Sequence, residues 1–291
     1  MATTLYKQPI LGLVAFGVSF LSQWLGHSAY TFIHGAFGDY HYYASFFTGV
    51  TGALLVGRSL KFGEISATWM AFLGAQFVWI GWFELTFEFY SQFFAFPEYT
   101  AAPGMVSAGG ANLLMATLPI MMTLFLIYGL YNRQTRCNLI RWFHRNLRMT
   151  PGMPTADNGR SYGRIVAMET LFVVWACYLF WLYVAYIGAN QILMAAAYGG
   201  WAVWFGYLFW KLFKFPRVGA AFRYGIPVGV IGWGLTEMPS YFGFYDEIWL
   251  KPFDYPVTTL VATGLYIAGL IYLANPPGRT PRTGEPEPAP A

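Results

Sequence analysis

The stretch GWFELTFEFYSQFF, residues 81–94, combines the two features that decide the fold of this chain. Its Trp and Phe side chains are typical of a helix that contacts lipid or packs inside a membrane bundle. It also carries two carboxylates, Glu84 and Glu88, which are one helical turn apart and share a face. Because an unpaired charge is costly inside a membrane, these carboxylates predict polar partners on a neighbouring helix.

The composition of the whole chain indicates a membrane protein. Of its 291 residues, 57% are hydrophobic and 10% are charged, whereas roughly a quarter are charged in soluble domains. Apolar runs long enough to cross a bilayer, roughly 20 residues each, fall near residues 9–33, 42–60, 66–92, 106–131, 166–187, 190–213, 219–238 and 256–275. We predict an all-α integral membrane protein with about eight transmembrane helices, because lipid offers the backbone no other hydrogen-bond partner.

The charged residues between the spans predict the orientation of the chain. Basic residues follow the second, fourth and sixth spans, and they include Arg58, Lys61, Arg141, Lys211 and Lys214. The positive-inside rule places these loops and both termini in the cytoplasm of a bacterial-type inner membrane. The other loops carry the acidic residues Asp39, Glu98, Asp246, Glu247 and Asp254.

The segment RQTRCNLIRWFHRNLR, residues 133–148, is the most basic part of the chain. It is typical of a juxtamembrane anchor for anionic lipid, and we favour that interpretation over nucleic-acid binding. His144 lies in this segment and is predicted to be solvated.

Two similar motifs in the sequence predict an internal repeat. The motif GWFELTFEF at residue 81 is followed 151 residues later by GWGLTEMPSYFGF at residue 232. Both motifs follow two spans joined by a basic turn. We therefore predict two parallel four-helix halves, 1–132 and 166–275, with a cytoplasmic basic linker at 133–165 and a disordered tail at 276–291. Glu237 is the counterpart of Glu84 or Glu88 in the second half.

The candidate site combines histidines of the first span and the following turn with the carboxylates of the third span. His27 and His34 are two helical turns apart, at the predicted depth of Glu84 and Glu88. The candidate ligands are His27, His34, Asp39, His41, Glu84 and Glu88. Mixed nitrogen and oxygen ligands suit iron or zinc better than copper(I). Two alternatives stay open, since the carboxylates could instead join the first span to the third or form a proton or ion pathway.

Several segments resemble the membrane subunits of copper membrane monooxygenases, the particulate methane and ammonia monooxygenases. GLTEMPSYFGFYDEIWLKPFDYP, residues 234–256, and the preceding KLFKFPRVGAAFRYGIP are similar to the C-type subunit. HGAFGDYHYY and FEFYSQFFAFPEYTAAPG, at residues 34 and 87, are similar to the A-type subunit. The resemblance covers about half of the chain and implies an oxidoreductase subunit that works with other membrane subunits.

The resemblance fails at the family's copper ligands. The Asn and two His of the C-type helix, loop and helix fall here on Thr236, Ser240 and Asp254. Since hydroxyl groups are poor copper ligands, the second half is not expected to bind metal. HGAFGDYH is also similar to the His-Gly-Ala motif of membrane carotene dioxygenases, but that family needs further intramembrane histidines.

Three functions follow from these observations. The first is a subunit of a membrane monooxygenase-like complex that handles a small or lipophilic substrate. The second is a self-contained membrane metalloenzyme, or a protein that binds a quinone or lipid, with a His and Glu site at the outer leaflet. The third is a transporter, which the sequence disfavours because its spans show little of the paired Gly and Pro interruption expected of broken helices. Copper, iron and zinc all stay open as the metal, and the expected partners are the bilayer and other membrane subunits rather than nucleic acid.

Overall fold

The computed structural model describes residues 6–97, 99–102, 105–107, 109–132, 138–149, 160–187, 191–241 and 244–276. Within these ranges most of the chain is helical. The α-helices are α1 (Ile10–Phe37), α2 (His41–Ser59), α3 (Glu64–Val78), α4 (Leu85–Phe93), α5 (Gly109–Ala116), α6 (Leu118–Tyr131), α7 (Asn138–Asn146), α8 (Tyr162–Ile187), α9 (Gln191–Leu212), α10 (Val218–Tyr241) and α11 (Pro256–Ala274).

Shorter elements connect these helices. A π-helical segment, Trp79–Glu84, joins α3 to α4, and 3-10 turns occupy Gly38–Tyr40 and Ile248–Leu250. The strands β1 (Tyr99–Ala102) and β2 (Met105–Ser107) pair in an antiparallel hairpin. The predicted fourth span began at residue 106. The structure instead places this hairpin there and begins α5 at Gly109.

The lengths and apolar composition of the helices confirm a multi-pass, essentially all-α membrane protein. Among the described residues, five helical runs are long and apolar enough to cross a membrane. The number rises to six if α5 and α6, which are bent by 50° relative to each other, form one span. The first run, Ile10–Ser59, has 50 residues and contains both α1 and α2.

Contacts with α3 and α4 show that the chain reverses between α1 and α2. Ser22 and Tyr30 of α1 contact Gln76 and Glu88 respectively, so α1 runs parallel to α3 and α4. Gly52 of α2 lies against Gly74, while Gly49 lies near the later residue Gly81, so α2 runs in the opposite direction. The reversal falls at Gly38, whose φ of +49° is a left-handed conformation that favours glycine.

The two ends of the bundle differ in charge. At the basic end, Arg223 forms an ion pair with Glu64 at 2.5 Å, and the Tyr6 hydroxyl donates to the backbone oxygen of Tyr272. The described residues nearest both termini therefore share this end with the basic loops. The opposite, acidic end contains His34, Glu88 and the loop that follows α10, because Gly35 lies against Phe253.

Four helices form the interior of the bundle. α1 packs against α10, and α8 packs against α3. Phe72 and Phe222 meet in the same core cluster, with ring centroids 5.5 Å apart. α9 and α11 lie outside these helices, and few of their residues are buried. The interior is therefore built by the helices that carry the ionisable residues.

The linker contains more structure than the sequence predicted. α7 lies within 133–165, and α8 begins at Tyr162 rather than near residue 166. The prediction that His144 is solvated was wrong, since it is 3% exposed and its Nε2 lies 3.0 Å from the oxygen of Gly129. The amphipathic helix α7 turns this side chain toward α6. Residues 133–137 and 150–159, Glu98, and all but the first residue of the predicted tail lie outside the described residues.

Gly81 allows α2 to approach the π segment closely, so we predict that Gly81→Ala destabilises the protein. An added Cβ would overlap the backbone of Ser45 and Gly49. Such overpacking typically costs about 1–3 kcal/mol and should lower the apparent melting temperature in detergent. Gly57→Ala is the matched control, since a Cβ there meets no atom within 4 Å. Equal melting temperatures for the two variants would contradict the prediction.

Candidate metal site and central cavity

Three of the predicted ligands come together at the acidic end. His34 Nε2 lies 3.0 Å from Glu88 Oε2, and His41 Nε2 lies 4.0 Å from Glu88 Oε1. One ligand atom from each of the three side chains lies within 4.8 Å of the other two. The imidazole rings are 4.1 Å apart between centroids. We call His34, His41 and Glu88 the outer cluster.

The turn between α1 and α2 positions the two histidines. His34 lies in the last turn of α1, and His41 is the first residue of α2. His41 Nδ1 lies 2.7 Å from the oxygen of Gly38. Because a carbonyl oxygen only accepts hydrogen bonds, Nδ1 carries a proton, and in the neutral imidazole the lone pair is on Nε2, on the side of Glu88. A second-shell bond of this kind is typical of histidines that bind metals.

A network of neutral side chains holds Glu88. The hydroxyl of Tyr30, one turn before His34, donates to Glu88 Oε2 at 2.6 Å. Gln92 Nε2 donates to Glu88 Oε1 at 3.3 Å, and the Tyr42 hydroxyl donates to Gln92 Oε1 at 3.0 Å. These bonds join α1, α2 and α4 around one carboxylate.

The donor set of the outer cluster suits a first-row divalent metal. His41 Nε2 is buried and has no hydrogen-bond partner among the described residues, whereas His34 Nε2 lies within hydrogen-bond distance of Glu88 Oε2. Buried polar atoms without partners are rare in proteins. Two imidazole nitrogens and a carboxylate can hold iron or zinc and leave coordination positions open. The residues present therefore fit a metal.

The other three predicted ligands do not join the outer cluster. Asp39 is exposed on the turn between α1 and α2. Glu84 accepts a hydrogen bond from Trp79 Nε1 at 3.0 Å. The sequence assigned His27 to the carboxylates of the third span, but its Nε2 lies 3.4 Å from Glu237 Oε1 because α1 packs against α10. Glu237 therefore has a histidine partner from the other predicted half.

A central cavity of about 40 Å³ lies between the four interior helices. Four of its lining residues come from each of α1, α8 and α10, and four from α3 together with the π segment. The polar residues that line it include Ser22, Gln23, His27, Gln76, Glu84 and Glu237. Gln23 and Gln76 both donate to Ser22 Oγ, at 3.1 and 3.2 Å. Glu84 and Glu88 thus share a helix face but serve different sites.

The positions that match the family's copper ligands have other roles. Ser240 Oγ lies 2.5 Å from the oxygen of Glu237 and 3.2 Å from Glu247 Oε1. The backbone oxygen of Thr236 accepts a hydrogen bond from the Tyr245 hydroxyl. Asp254 is exposed in the loop before α11. These residues stabilise the connection between α10 and α11.

Comparisons with known proteins give no further guidance. No protein-family model, no curated protein and no solved structure matches the chain. The functional assignment of the site therefore rests on its side chains and their geometry.

Sequence analysis missed Tyr30, Gln92 and Trp79 as partners of the carboxylates. Tyr30 could have been found, since it lies four residues before His34 and therefore on the same face of α1. Trp79 could not, because residues five apart do not meet on a regular α-helix. The π segment contains an additional residue per turn and brings Trp79 to Glu84.

The hydrogen bond from Tyr30 to Glu88 joins α1 to α4, and we predict that Tyr30→Phe destabilises the protein. The loss of a hydrogen bond to a carboxylate between membrane helices should cost about 1–2 kcal/mol. Thermal unfolding of the metal-free protein in detergent measures this cost. Tyr43→Phe is the control, because Tyr43 is 67% exposed on α2. An unchanged melting temperature in Tyr30→Phe would contradict a structural role for this bond.

Proposed function

We propose that the chain is an integral membrane metalloprotein of the oxidoreductase class, whose metal is held by His34, His41 and Glu88. The observation that carries this proposal is the convergence of three ligand atoms within 4.8 Å, one of them the buried Nε2 of His41, which has no hydrogen-bond partner among the described residues. Two histidines and one carboxylate with open positions are the ligand set of non-haem iron(II) oxygenases. Iron is therefore the first choice, with zinc and copper as alternatives.

The surroundings of the outer cluster support a lipophilic substrate. Large aromatic side chains are exposed at the acidic end, on the turn after α1 and at the end of α4. They include Phe37, Tyr40, Tyr43, Phe93 and Phe94. Aromatic residues at this level of a membrane protein are typical of the lipid interface. A substrate dissolved in the bilayer could reach the outer cluster from this side.

The same residues support a second proposal, that the protein is a subunit of a membrane monooxygenase-like complex. Two of the segments that resemble the A-type subunit, beginning at residues 34 and 87, contain the whole outer cluster. α9 and α11 also expose most of their surface, which could contact either lipid or other membrane subunits. Metal content measured on the purified chain, with and without co-purifying subunits, distinguishes a self-contained enzyme from a subunit that needs partners to hold its metal.

A transporter is the third proposal, and the irregular helices favour it. Broken or distorted helices beside a central site are typical of secondary transporters. The π segment interrupts the helix that carries Glu84, and α10 contains Pro227 and Pro239. The π segment supplies lining residues of the central cavity, and the two prolines flank the part of α10 that lines it.

We further propose that the chain crosses the membrane eight times in two parallel halves, with both termini in the cytoplasm of a bacterial-type inner membrane. Equivalent packing supports the repeat. Gly12, at the start of α1, lies against Leu212, the last residue of α9. Gly163, which is 151 residues after Gly12, occupies the same place at the start of α8. It lies against Ser59, the last residue of α2. The pairs α1 with α10 and α8 with α3 are likewise equivalent under the repeat.

Cysteine labelling tests this orientation. In a variant with Cys137→Ser and Cys177→Ser, single cysteines replace Asp39 and Asp254 at the acidic end, or Lys61 and Lys214 at the basic end. A membrane-impermeant maleimide added to intact cells should label only the two acidic-end cysteines, because the basic end faces the cytoplasm. Labelling of Asp39→Cys and Lys61→Cys from the same side would contradict the proposed topology.

Three matched Glu→Gln substitutions and two His→Ala substitutions test the metal site. Glu88→Gln removes a ligand and should abolish binding of iron, zinc or copper, as should His34→Ala and His41→Ala. Glu84→Gln and Glu237→Gln are the same chemical change outside the outer cluster and should keep the wild-type metal content. Plasma mass spectrometry of the purified, metal-loaded protein measures the stoichiometry. Wild-type metal content in Glu88→Gln would refute the site, and equal losses in all three Glu variants would refute its location.

A further inference from the structure

The chemistry of the central cavity differs from that of the outer cluster. Its ionisable residues come from every interior helix: His27 from α1, Glu84 from the π segment, Cys177 and Tyr178 from α8, and Glu237 from α10. Glu247, in the loop after α10, also interacts electrostatically with Glu237. None of the described lining residues is Lys or Arg.

The charges of the cavity need compensation that the protein side chains only partly supply. His27 can neutralise Glu237 across 3.4 Å, but the partner of Glu84 is the neutral indole of Trp79. Two carboxylates without a second basic group are costly in the membrane interior unless a proton, a cation or water reaches them. The cavity therefore points to a small, polar occupant.

An indole group decides between a cation and water. The Nε1 atom of Trp181, a lining residue, is buried and has no hydrogen-bond partner among the described residues, whereas the indole of Trp233 donates to Glu237. An indole N–H only donates, so it needs an acceptor. Ammonium has no lone pair, so it cannot accept a hydrogen bond from an indole N–H. A metal ion would be repelled by the positive end of the N–H bond. A water molecule can accept from an indole and donate to a carboxylate.

The size of the cavity agrees with water. A volume of about 40 Å³ holds roughly three or four water molecules, at about 10–15 Å³ each. Water in this position can carry a proton between carboxyl groups that do not touch. Gln23, Gln76 and Ser22 provide further polar contacts on the side toward the basic end.

We propose that the central cavity is a hydrated proton-binding site, in which water connects Glu84, Glu237 and His27 and at least one proton is held among them. The site neutralises the carboxylates and lets protons exchange with the aqueous phase. It operates without a metal, and its function does not depend on the outer cluster. The proton is transferred along hydrogen bonds, with no change in oxidation state.

Infrared difference spectroscopy of the metal-free protein in lipid nanodiscs tests the proposal. At neutral pH the wild-type protein should show the carbonyl-stretch band of a protonated carboxylic acid, and this band should shift in D₂O because water reaches the cavity. The band should weaken in Glu84→Gln and in Glu237→Gln and most of all in the double variant, and what remains belongs to carboxyl groups outside the cavity, such as Glu169 of α8. Glu64→Gln is the matched control, since Glu64 pairs with Arg223 at the basic end.

The wild-type measurements keep the test valid even if a variant fails to fold. Absence of the band, absence of its D₂O shift, or an undiminished band in the double variant would overturn the proposal. Loss of the wild-type band on addition of sodium, potassium or ammonium chloride at constant pH would assign the cavity to a cation instead. Because the sample contains no metal, these outcomes are independent of metal binding at the outer cluster.

Discussion

An ionisable side chain inside a membrane must find its partner within the protein, and this requirement organises the bundle. Glu88 contacts His34 and Tyr30, Glu237 contacts His27, and Glu84 accepts from Trp79. Each of these contacts satisfies a carboxylate that lipid could not solvate. The helices that carry the carboxylates and their partners are therefore held in the interior. α9 and α11 carry no carboxylate and can remain at the periphery.

Small residues also allow this arrangement of helices, because they let the backbones approach closely. Lipid gives helices little hydrophobic reason to associate, so close backbone approach and good packing supply much of their attraction. Gly52 faces Gly74, and Gly49 lies against the ring of Trp82 and near Gly81. These contacts hold α2 against α3 and the π segment. They also fix the start of α2, and hence the distance between His41 and Glu88.

The outer cluster and the central cavity show how one helix face serves two kinds of chemistry. Glu84 and Glu88 are four residues apart and differ mainly in depth. Glu84, the deeper carboxylate, meets an indole and a cavity with room for water, whereas Glu88 meets the imidazoles of His34 and His41. The ligands around each carboxylate separate a candidate metal site from a candidate proton site. An oxidoreductase could use both, since reduction of oxygen consumes protons, but each has its own test.

The sequence by itself determined the membrane setting, the grouping of basic loops at one end, and the need for Glu84 and Glu88 to have partners. These properties depend on composition and local spacing, which the sequence contains directly. It also indicated that His27 or His34 would meet Glu84 or Glu88, because all four lie at one predicted depth, and His34 does meet Glu88. Only the tertiary structure decided that His27 pairs with Glu237, that Trp79 reaches Glu84, and that Asp39 lies apart. Those outcomes depend on which helices touch and on one π-helical distortion, and helix contacts are set by packing between residues far apart in the chain.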